Sequence, residues 1–323
     1  MSPSVCVGVA TYNNQPHIRE CLDSILAQDV PRLRVVVSDD ASSDATPEIL
    51  ADYARRYPDR MTVLLNPRNL GVSGNVNRIL EQVDDDYFCY LPGDDVMYAG
   101  KVARSIAFLE SNPDVGLGCH DCELFVDVTD RLLYRYSDRF PMRDGGLKDY
   151  ILGSAYYSFN TVTFRRNTLP EPRTFDDRMG PYSDWEYLAR AIARAEQLGF
   201  RRPVGFIPDV LVGYRRHAHN LSNRQDRRVL DLQAIGFETV AQAYPAMRPY
   251  CRSAERERML VQALRRGGSW NERLALVTGA ISDPRALWMF ARALLNILRA
   301  HYLARMVNGM YQRVRLPTAR PSR

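Results

Sequence analysis

The sequence has little lysine and no long hydrophobic run. Its lysines are Lys101 and Lys148 alone, so the glycine-rich, lysine-bearing activation loop of a nucleotidyltransferase is absent after the first predicted strand. No run approaches the roughly 18 consecutive apolar residues needed to cross a bilayer. No basic segment of a signal peptide precedes the apolar residues 5–9. These absences predict a cytoplasmic protein whose six cysteines are mostly reduced.

Three further patterns are missing or incomplete. A dinucleotide-binding domain carries Gly-x-Gly-x-x-Gly after its first strand, whereas residues 11–14 read Thr-Tyr-Asn-Asn. Cys119 and Cys122 have the spacing of a zinc site, but no second pair completes it, so buried strand cysteines are the better interpretation. No basic face or nucleic-acid-binding module is visible, which argues against a nucleic-acid partner.

The sequence does contain a regular alternation of strand and helix patterns. Its 323 residues, 46% hydrophobic and 25% charged, have the composition of a globular protein. Strand patterns alternate with helix patterns from residue 5 to residue 91, which predicts a Rossmann-like, mostly parallel α/β sheet with helices on both faces. The predicted strands are 5–10, 33–38, 61–65 and 87–91, and the predicted helices are 15–28, 47–57 and 73–83.

Beyond this repeat the pattern changes twice. Helices are predicted at 101–111 and 183–195, and shorter strands at 115–117, 123–128, 161–164 and 204–207. After residue 223 the pattern is helical throughout, with helices expected at 227–244, 253–265, 271–278 and 284–307. We therefore expect a catalytic α/β domain over residues 1–225 and a helical region over 226–323.

Carboxylates stand where the predicted strands end. Asp94 and Asp95 follow the apolar run 87–91, and Asp39 and Asp40 follow the second strand. Because parallel strands share one carboxyl edge, these acids can converge there. Successive side chains of an extended segment point to opposite faces. We therefore expect one acid of the Asp94–Asp95 pair on a divalent cation and the other on a ribose hydroxyl.

Asp40 and Asp184 each have a functional and a purely structural interpretation. Asp40 either accepts the imide N–H of uracil or thymine or closes an Asx turn. Asp184 is either a catalytic carboxylate or only the first-turn acid of a helix capped by Ser183 and Glu186. A capped helix end would also hold a catalytic carboxylate in place, so the two interpretations are compatible.

A cationic segment covers residues 214–222. His217 is a candidate metal ligand or phosphate contact, and Arg215 and Arg216 are candidates for meeting the charge of a diphosphate. A surface segment without a role is the alternative.

Taken in order, these motifs resemble the family 2 glycosyltransferases with the GT-A fold, over about residues 3–223. The resemblance implies a nucleotide-diphosphate sugar donor (UDP- or dTDP-linked), inversion at the anomeric carbon, and Mn²⁺ or Mg²⁺ as cofactor. Residues 93–95 read Gly-Asp-Asp instead of Asp-x-Asp, and Ser183 replaces the usual Glu. The matching stretches are VGVATYN (7–13), SDDASSD (38–44), NLG (69–71), GDD (93–95), SDWE (183–186) and YRRH (214–217).

The resemblance also implies a role for each candidate residue. Asp184 would be the general base, and Asp95 would bind the metal together with His217. Arg215 and Arg216 would contact the diphosphate. The nucleotide would be bound by Thr11, Tyr12, Asn13, Asp40, Asn69, Gly71, Asn75 and Asp94.

The C-terminal tail is basic. Residues 284–323 contain eight arginines and no Asp or Glu, so residues 1–283 carry 5 − 8 = −3 of the net charge of +5. Arg285, Arg292 and Arg299 lie near one face of the predicted last helix. That helix either contacts the inner face of an anionic membrane, where a lipid-linked acceptor would be found, or packs on the catalytic domain or in a homodimer.

Two other functions remain open at this stage. One is a catalytically silent sugar-nucleotide-binding protein, and the other is a nucleotidyltransferase or a nucleotide-sugar hydrolase. The acceptor is a saccharide, a lipid-linked saccharide or a natural-product aglycone, and we expect residues 130–182 and the helical tail to select it.

Overall fold

The computed structural model describes residues 2–127, 129, 131–218, 220 and 229–265. Within these ranges, nine strands form one mixed sheet. They are β1 (Val5–Thr11), β2 (Leu33–Asp39), β3 (Met61–Leu65), β4 (Tyr87–Pro92), β5 (Val96–Met97), β6 (Val115–Val126), β7 (Arg131–Arg135), β8 (Val162–Arg165) and β9 (Arg202–Arg216).

Helices connect most of the strands. The helices within the described ranges are α1 (Ile18–Leu26), α2 (Thr46–Arg56), α3 (Gly71–Leu80), α4 (Lys101–Ser111), α5 (Leu147–Ile151), α6 (Ser183–Gln197), α7 (Val229–Ala243) and α8 (Arg248–Arg265). Short 3₁₀ turns occur between them, among them Asp177–Tyr182 immediately before α6.

The order of the strands creates a crevice beside β1. The sheet runs β3-β2-β1-β4-β8-β6-β9-β5, with β7 paired to β6. Strands β3, β2, β1 and β4 are parallel. The chain moves outward from β1 to β3 and then returns on the other side of β1 as β4, which makes the β1–β4 boundary a topological switch point. Open α/β sheets bind ligands at such a point, beyond the carboxyl ends of the strands.

The parallel strands are buried on both faces, which explains their nearly continuous apolar sequences. Every residue of β4 except Pro92 is buried. On one face, Ile18, Leu22 and Ile25 of α1 pack against the strands. On the other, α3 lies so close to β1 that only a glycine fits at position 8.

Strands β6 and β9 are longer than the sequence pattern predicted. The strands expected at 115–117 and 123–128 form one strand, β6, and the strand expected at 204–207 extends to Arg216. The two strands pair in parallel from Val115↔Arg202 to Val126↔Arg216, with irregular register at His120 and Asp121. Each therefore satisfies the main-chain hydrogen bonds of the other, although polar residues interrupt the apolar pattern of both.

The chain divides into two compact units, Met1–Cys251 and Arg252–Arg323. The first continues past the boundary expected near residue 225 because α7 packs on α6, where the rings of Phe237 and Trp185 meet edge to face with centroids 5.0 Å apart. The expected helices at 271–278 and 284–307, with the arginine-rich tail, lie outside the described residues. In the described part of the chain, no helix has the length and apolarity needed to cross a membrane.

We predict that the Gly8→Ala variant loses stability. An added Cβ would lie 2.5 Å from Ile79 Cγ2 and 3.0 Å from Phe88 Cε2, so α3 would have to move away from the sheet. We expect the free energy of unfolding to fall by about 1–3 kcal/mol, measured by urea denaturation.

Gly118→Ala is the matched control, because the added methyl group would meet nothing nearer than 3.5 Å in another buried strand. A loss of the same size in both variants would contradict the close approach of α3 to β1.

Candidate active site

The loops that follow β1, β2 and β4 are bonded to one another at the switch point. The main-chain N–H of Asp40 donates to the carbonyl of Thr11 at 3.0 Å, and that of Gly93 donates to the carbonyl of Ala10 at 3.0 Å. The expected convergence of the acidic strand ends on one edge is therefore present.

Asp40 binds the loop that leads into α3. Its carboxylate accepts hydrogen bonds from the main-chain N–H groups of Leu70 (2.7 Å) and Gly71 (2.9 Å) and from the Asn66 amide (3.3 Å). The residue is only 3% exposed. Its Oδ1 accepts two of these bonds and its Oδ2 accepts one, so a lone pair on Oδ2 is left for another donor.

Asp39, and not Asp40, closes the turn after β2. Its carboxylate accepts from the main-chain N–H of Ser42 at 2.9 Å and from the Ser42 hydroxyl at 2.5 Å. The structural interpretation that the sequence left open for Asp40 thus belongs to its neighbour, and Asp40 has a separate environment.

Two asparagines extend this network. Asn75 donates to the carbonyl of Thr11 at 3.2 Å and accepts from Asn66 at 3.0 Å, entirely inside the protein. Asn69 accepts from the N–H of Gly71 at 3.0 Å. Gly71 has a φ of +76°, which glycine adopts without strain at the start of α3.

Tyr12 and Asn13 form the outer rim of the crevice. Tyr12 is 48% exposed, which is unusual for a large aromatic side chain. Asn13 has a φ of +51°, and its side chain accepts from the N–H of Ser43 at 2.8 Å. This bond fixes the β1 loop against the β2 loop and leaves the Tyr12 ring in solvent.

Asp94 and Asp95 bind different partners, as expected, although residues 93–95 form a turn and not the extended segment that the sequence predicted. Oδ2 of Asp94 lies 3.0 Å from Nε2 of His217 and accepts from Asn220 at 3.3 Å. Asp95 is 1% exposed, and its two oxygens accept from the Arg215 main-chain N–H at 3.0 Å and from Asn160 at 3.1 Å. Burial, and then the charge of Asp94, raise the pKa of Asp95 well above its usual range.

Arg215 lies in a position other than the one expected of a diphosphate ligand. Its guanidinium bonds the carbonyl of Asp94 at 2.9 Å, Asp127 at 2.9 Å, and Glu20 of α1. It also lies 4.7 Å from the centre of the Phe125 ring. The side chain is only 4% exposed, and its partners connect α1, the end of β6 and the Asp94 loop.

Arg216 and His217 lie beside the acidic pair. Arg216 is half-buried at the end of β9, with its guanidinium carbon 5.9 Å from the centre of the Tyr214 ring. The His217 ring faces Asp94 and lies 5.0 Å from that of His17. Both residues stay candidates for the roles that the 214–217 motif predicts, and the His217 side chain is 13% exposed.

Asp184 lies in the first turn of α6. The residue is exposed to solvent, and its Oδ1 accepts from the N–H of Trp185 at 2.7 Å. The protein around the carboxyl is nevertheless dense enough that desolvation raises its pKa to about 6, against the opposing effect of two main-chain N–H groups. A substrate hydroxyl can therefore reach a carboxylate that is a stronger base than an ordinary aspartate.

The capping box expected around Asp184 does not form. Ser183 is the first helical residue, and its hydroxyl bonds the carbonyl of Gly180 at 2.6 Å and the hydroxyl of Ser73 at 2.7 Å. Glu186 pairs instead with Arg190, one turn later, at 2.6 Å. The Ser73–Ser183 bond joins the first turns of α3 and α6, and so holds Asp184 near the loop that Asp40 supports.

Tyr90 shows that the acids of β4 and α6 share one environment. After burial, the charges of Asp94, Asp95 and Asp184, in that order, raise the pKa of its hydroxyl. Carboxylates from residues 94 and 184 therefore lie within electrostatic reach of one side chain, although 90 positions separate them in the sequence.

Several residues of this region gave no signal in the sequence. Glu20 lies in α1, and His17 immediately precedes that helix. Asp127 follows β6, and Asn160 lies in a 3₁₀ turn. None belongs to a spaced motif, and each becomes recognisable only through its contacts with Arg215, His217 or Asp95.

The donor set beside Asp94 fits a divalent cation that takes few ligands from the protein. A carboxylate oxygen and an imidazole nitrogen face each other at 3.0 Å. Within the described ranges, no three His, Cys, Asp or Glu side chains gather as a complete metal site. The remaining ligands of such a cation would be oxygens of a bound substrate and water.

Two known proteins are similar to this chain over part of its length. An uncharacterized protein of Mycobacterium tuberculosis is 29% identical over 230 residues, which cover 68% of this chain and 61% of that protein. The dTDP-rhamnosyl transferase RfbG of Shigella flexneri is 33% identical over 108 residues, covering 32% of this chain and 37% of that protein. The chain thus spans less than two thirds of either relative.

Solved structures show the same fold. Staphylococcus aureus TarS 1-349 in complex with UDP-GlcNAc superimposes with a TM-score of 0.60 at 17% identity, over 92% of this chain and 81% of that one. The mannosyltransferase PcManGT of Pyrobaculum calidifontis, in complex with GDP-Man and Mn²⁺, has a TM-score of 0.53 at 23% identity, over 92% of this chain and 86% of that one. The expected GT-A fold is confirmed.

The family model for "Glycosyl transferase family 2" matches residues 6–169. This segment is just over half of the 323 residues and contains β1, β2, β4 and both acidic strand ends. The chain is a member of glycosyl transferase family 2, with the GT-A fold.

Proposed function

We propose that the protein transfers a sugar, with inversion, from a nucleotide-diphosphate donor to an acceptor hydroxyl. The observation that carries the proposal is the Ser73–Ser183 hydrogen bond, which joins the first turn of α6, with Asp184, to the first turn of α3, beside the loop that Asp40 binds. In agreement, the charges of Asp94 and Asp184 both raise the pKa of Tyr90. One carboxylate is placed for a cation and diphosphate, and the other is exposed with a pKa raised to about 6. All the expected site residues fall within residues 1–225, which we propose as the catalytic domain.

The nucleotide would lie in the crevice between β1 and β4. The free lone pair of Asp40 suits the imide N–H of uracil or thymine, and the exposed ring of Tyr12 offers a stacking surface for the base. The likenesses to a UDP-GlcNAc complex and to a dTDP-rhamnosyl transferase support a UDP- or dTDP-linked donor. Guanine also carries a ring N–H, so Asp40 discriminates mainly against adenine.

For the metal we propose Asp94 with His217, and not Asp95 as the sequence led us to expect. Both oxygens of Asp95 already accept hydrogen bonds in the protein interior. Mn²⁺ or Mg²⁺ held there would neutralise charge on the leaving diphosphate. The imidazole nitrogen favours Mn²⁺, because Mg²⁺ prefers oxygen ligands. We likewise propose Arg216 for the diphosphate in place of the buried Arg215.

Asp184 would act as the general base. The acceptor O–H bond breaks as its oxygen attacks C1 of the sugar, the proton passes to Asp184, and the bond from C1 to the diphosphate oxygen breaks. Attack comes from the face opposite the leaving group, so the anomeric configuration inverts. The hydrogen bond from the Trp185 N–H to Oδ1 leaves Oδ2 as the oxygen for the proton.

We expect Asp184→Asn to abolish turnover while leaving donor binding intact. Loss of a general base costs about 10²–10⁴-fold in rate, whereas UDP and Mn²⁺ bind at the other side of the site. Calorimetry with UDP, a UDP-sugar panel, dTDP-rhamnose, GDP-mannose and ADP-glucose, with and without Mn²⁺, measures binding. Turnover is measured by release of the nucleoside diphosphate.

The competing function, a silent sugar-nucleotide-binding protein, predicts that wild type and Asp184→Asn are alike in both measurements. A wild-type protein that binds none of these nucleotides would rule out both functions.

The pH dependence of kcat/KM should show a limb near pH 6. The base must be ionised, and burial raises the pKa of Asp184 to about 6. Activity should thus be constant above that value and fall tenfold per pH unit below it. A limb near pH 4, with the protein folded by circular dichroism, would contradict Asp184 as the base.

Asp94→Asn and Asp95→Asn should fail in different ways. Asp94→Asn should remove the enhancement of UDP binding by Mn²⁺ and leave the melting temperature nearly unchanged. Asp95→Asn should lower the free energy of unfolding by about 1–3 kcal/mol, because its amide would face the donors Arg215 N–H and Asn160. Loss of Mn²⁺ dependence in a stable Asp95→Asn variant would reverse the assignment.

A further inference from the structure

The first turn of α6 is attached to the rest of the protein by serine hydroxyl groups. The side chain that precedes the helix does not cap it. Ser183, the first helical residue, directs its hydroxyl at the carbonyls of Gly180 (2.6 Å) and Asp176 (3.0 Å). The same oxygen lies 2.7 Å from the hydroxyl oxygen of Ser73, in the first turn of α3. The turn that carries Asp184 therefore depends on these bonds where other helices depend on a cap.

The hydrogen bond between the two serines has a defined direction. A hydroxyl has one hydrogen to donate, and a main-chain carbonyl can only accept. The carbonyls of residues 176 and 180 take the hydrogen of Ser183, so Ser73 must donate to Ser183. Ser73 is 5% exposed and Ser183 is 1% exposed. Because water has little access to this bond, removing the Ser73 hydroxyl would leave the acceptor without a replacement donor.

The other end of this connection lies in the loop that we assign to the nucleotide. Ser73 is two residues beyond Gly71, whose N–H donates to Oδ2 of Asp40 at 2.9 Å. That carboxylate oxygen is the one with a lone pair left for the uracil or thymine ring. Asp40 thus positions the first turn of α3, and Ser73 fixes the first turn of α6 relative to it.

A second contact joins α3 to the segment before α6. Asn77, one turn after Ser73, donates to the carbonyl of Phe175 at 3.2 Å and accepts from its N–H at 2.6 Å. These two bonds hold the segment on α3 whether or not residue 73 carries a hydroxyl. Loss of the Ser73 hydroxyl should therefore loosen only the end of the segment beside Asp184 and leave the fold in place.

We propose that Ser73 is a positioning residue for Asp184: the hydrogen bond that it donates to Ser183 fixes the general base relative to the nucleotide crevice. This inference rests on the proposed function. It assigns a role in turnover to a side chain that needs no contact with the substrate. A displacement of about 1 Å at a reacting group can cost about a hundredfold in rate, so this bond should affect turnover more than stability.

Hydrogen–deuterium exchange of the full chain tests the attachment without any need for turnover. Ser73→Ala should speed exchange in peptides that cover residues 176–190 by about two- to tenfold, the factor expected for one hydrogen bond. Peptides that cover β2 should exchange as they do in wild type.

Ser105→Ala is the matched control for this measurement. It removes a buried serine hydroxyl of α4 that has no hydrogen-bond partner within the described ranges. Exchange in residues 176–190 should stay as in wild type.

Kinetics test the consequence for the reaction. Ser73→Ala should lower kcat about ten- to hundredfold and leave the Kd of UDP with Mn²⁺ within about twofold of wild type, because no group assigned to the nucleotide is removed. Ser73→Thr keeps the hydroxyl and should retain most of kcat. A double variant with Ser73→Ala and Ser183→Ala should be no slower than the slower single variant, since both hydroxyl groups act through one bond.

Either a wild-type kcat or wild-type exchange over residues 176–190 in Ser73→Ala would overturn the assignment. Equal losses of kcat and of UDP affinity would make Ser73 a structural residue and overturn it as well. Should Ser73→Ala not fold, Ser73→Cys has nearly the same size and a weaker donor, and should show a smaller change in the same direction.

The outcomes for wild type concern the function on which this inference rests. A wild-type protein that binds UDP but releases no nucleoside diphosphate from any donor would contradict the transferase. The exchange measurement on residues 176–190 would still decide whether Ser73 fixes the first turn of α6.

Discussion

Burial of the Asp95 carboxylate is the constraint on which the site depends. One oxygen accepts from the Arg215 main chain in β9 and the other from Asn160 before β8. Since these bonds lie in the protein interior, they hold the end of β4 to two strands distant in the sequence. Losing a partner would leave a buried carboxyl oxygen without its hydrogen bond, which is costlier than losing an exposed contact. Asp94 is consequently presented outward in a fixed direction.

Ion pairing inside the protein also distinguishes the two arginines at the end of β9. Arg215 bonds Asp127, Glu20 and the Asp94 carbonyl, so it stabilises the loop that carries Asp94. Its neighbour Arg216 points the other way because successive residues of a strand alternate. Of the two adjacent arginines, Arg215 is buried and Arg216 is half-buried. Of the two adjacent aspartates, Asp95 is likewise the more buried.

Local sequence patterns predicted the secondary-structure elements better than they predicted the tertiary contacts. The β-α-β alternation from residue 5 to 91 is visible because buried parallel strands are continuously apolar and amphipathic helices repeat every 3.6 residues. The sequence predicts β6 and β9 to be shorter than they are, because polar residues interrupt their apolar patterns. In the structure these polar residues are accommodated because the two strands pair with each other. The capping box at Ser183 and Glu186 does not form, because Ser183 hydrogen-bonds Ser73 and Glu186 pairs with Arg190.

The sequence by itself determined the sheet, its order of strands and helices up to residue 91, and the family, because these follow from residue types at short spacings. It also placed Asp40, Asp94 and Asp184 at the ends of elements. Only the tertiary structure decided that Asp39 closes the β2 turn, that Asp95 faces inward, and that Tyr150 stacks on Trp185, next to Asp184. Such assignments depend on tertiary contacts and on burial of polar groups from solvent. Both involve residues that are distant in the sequence, so no local pattern predicts them.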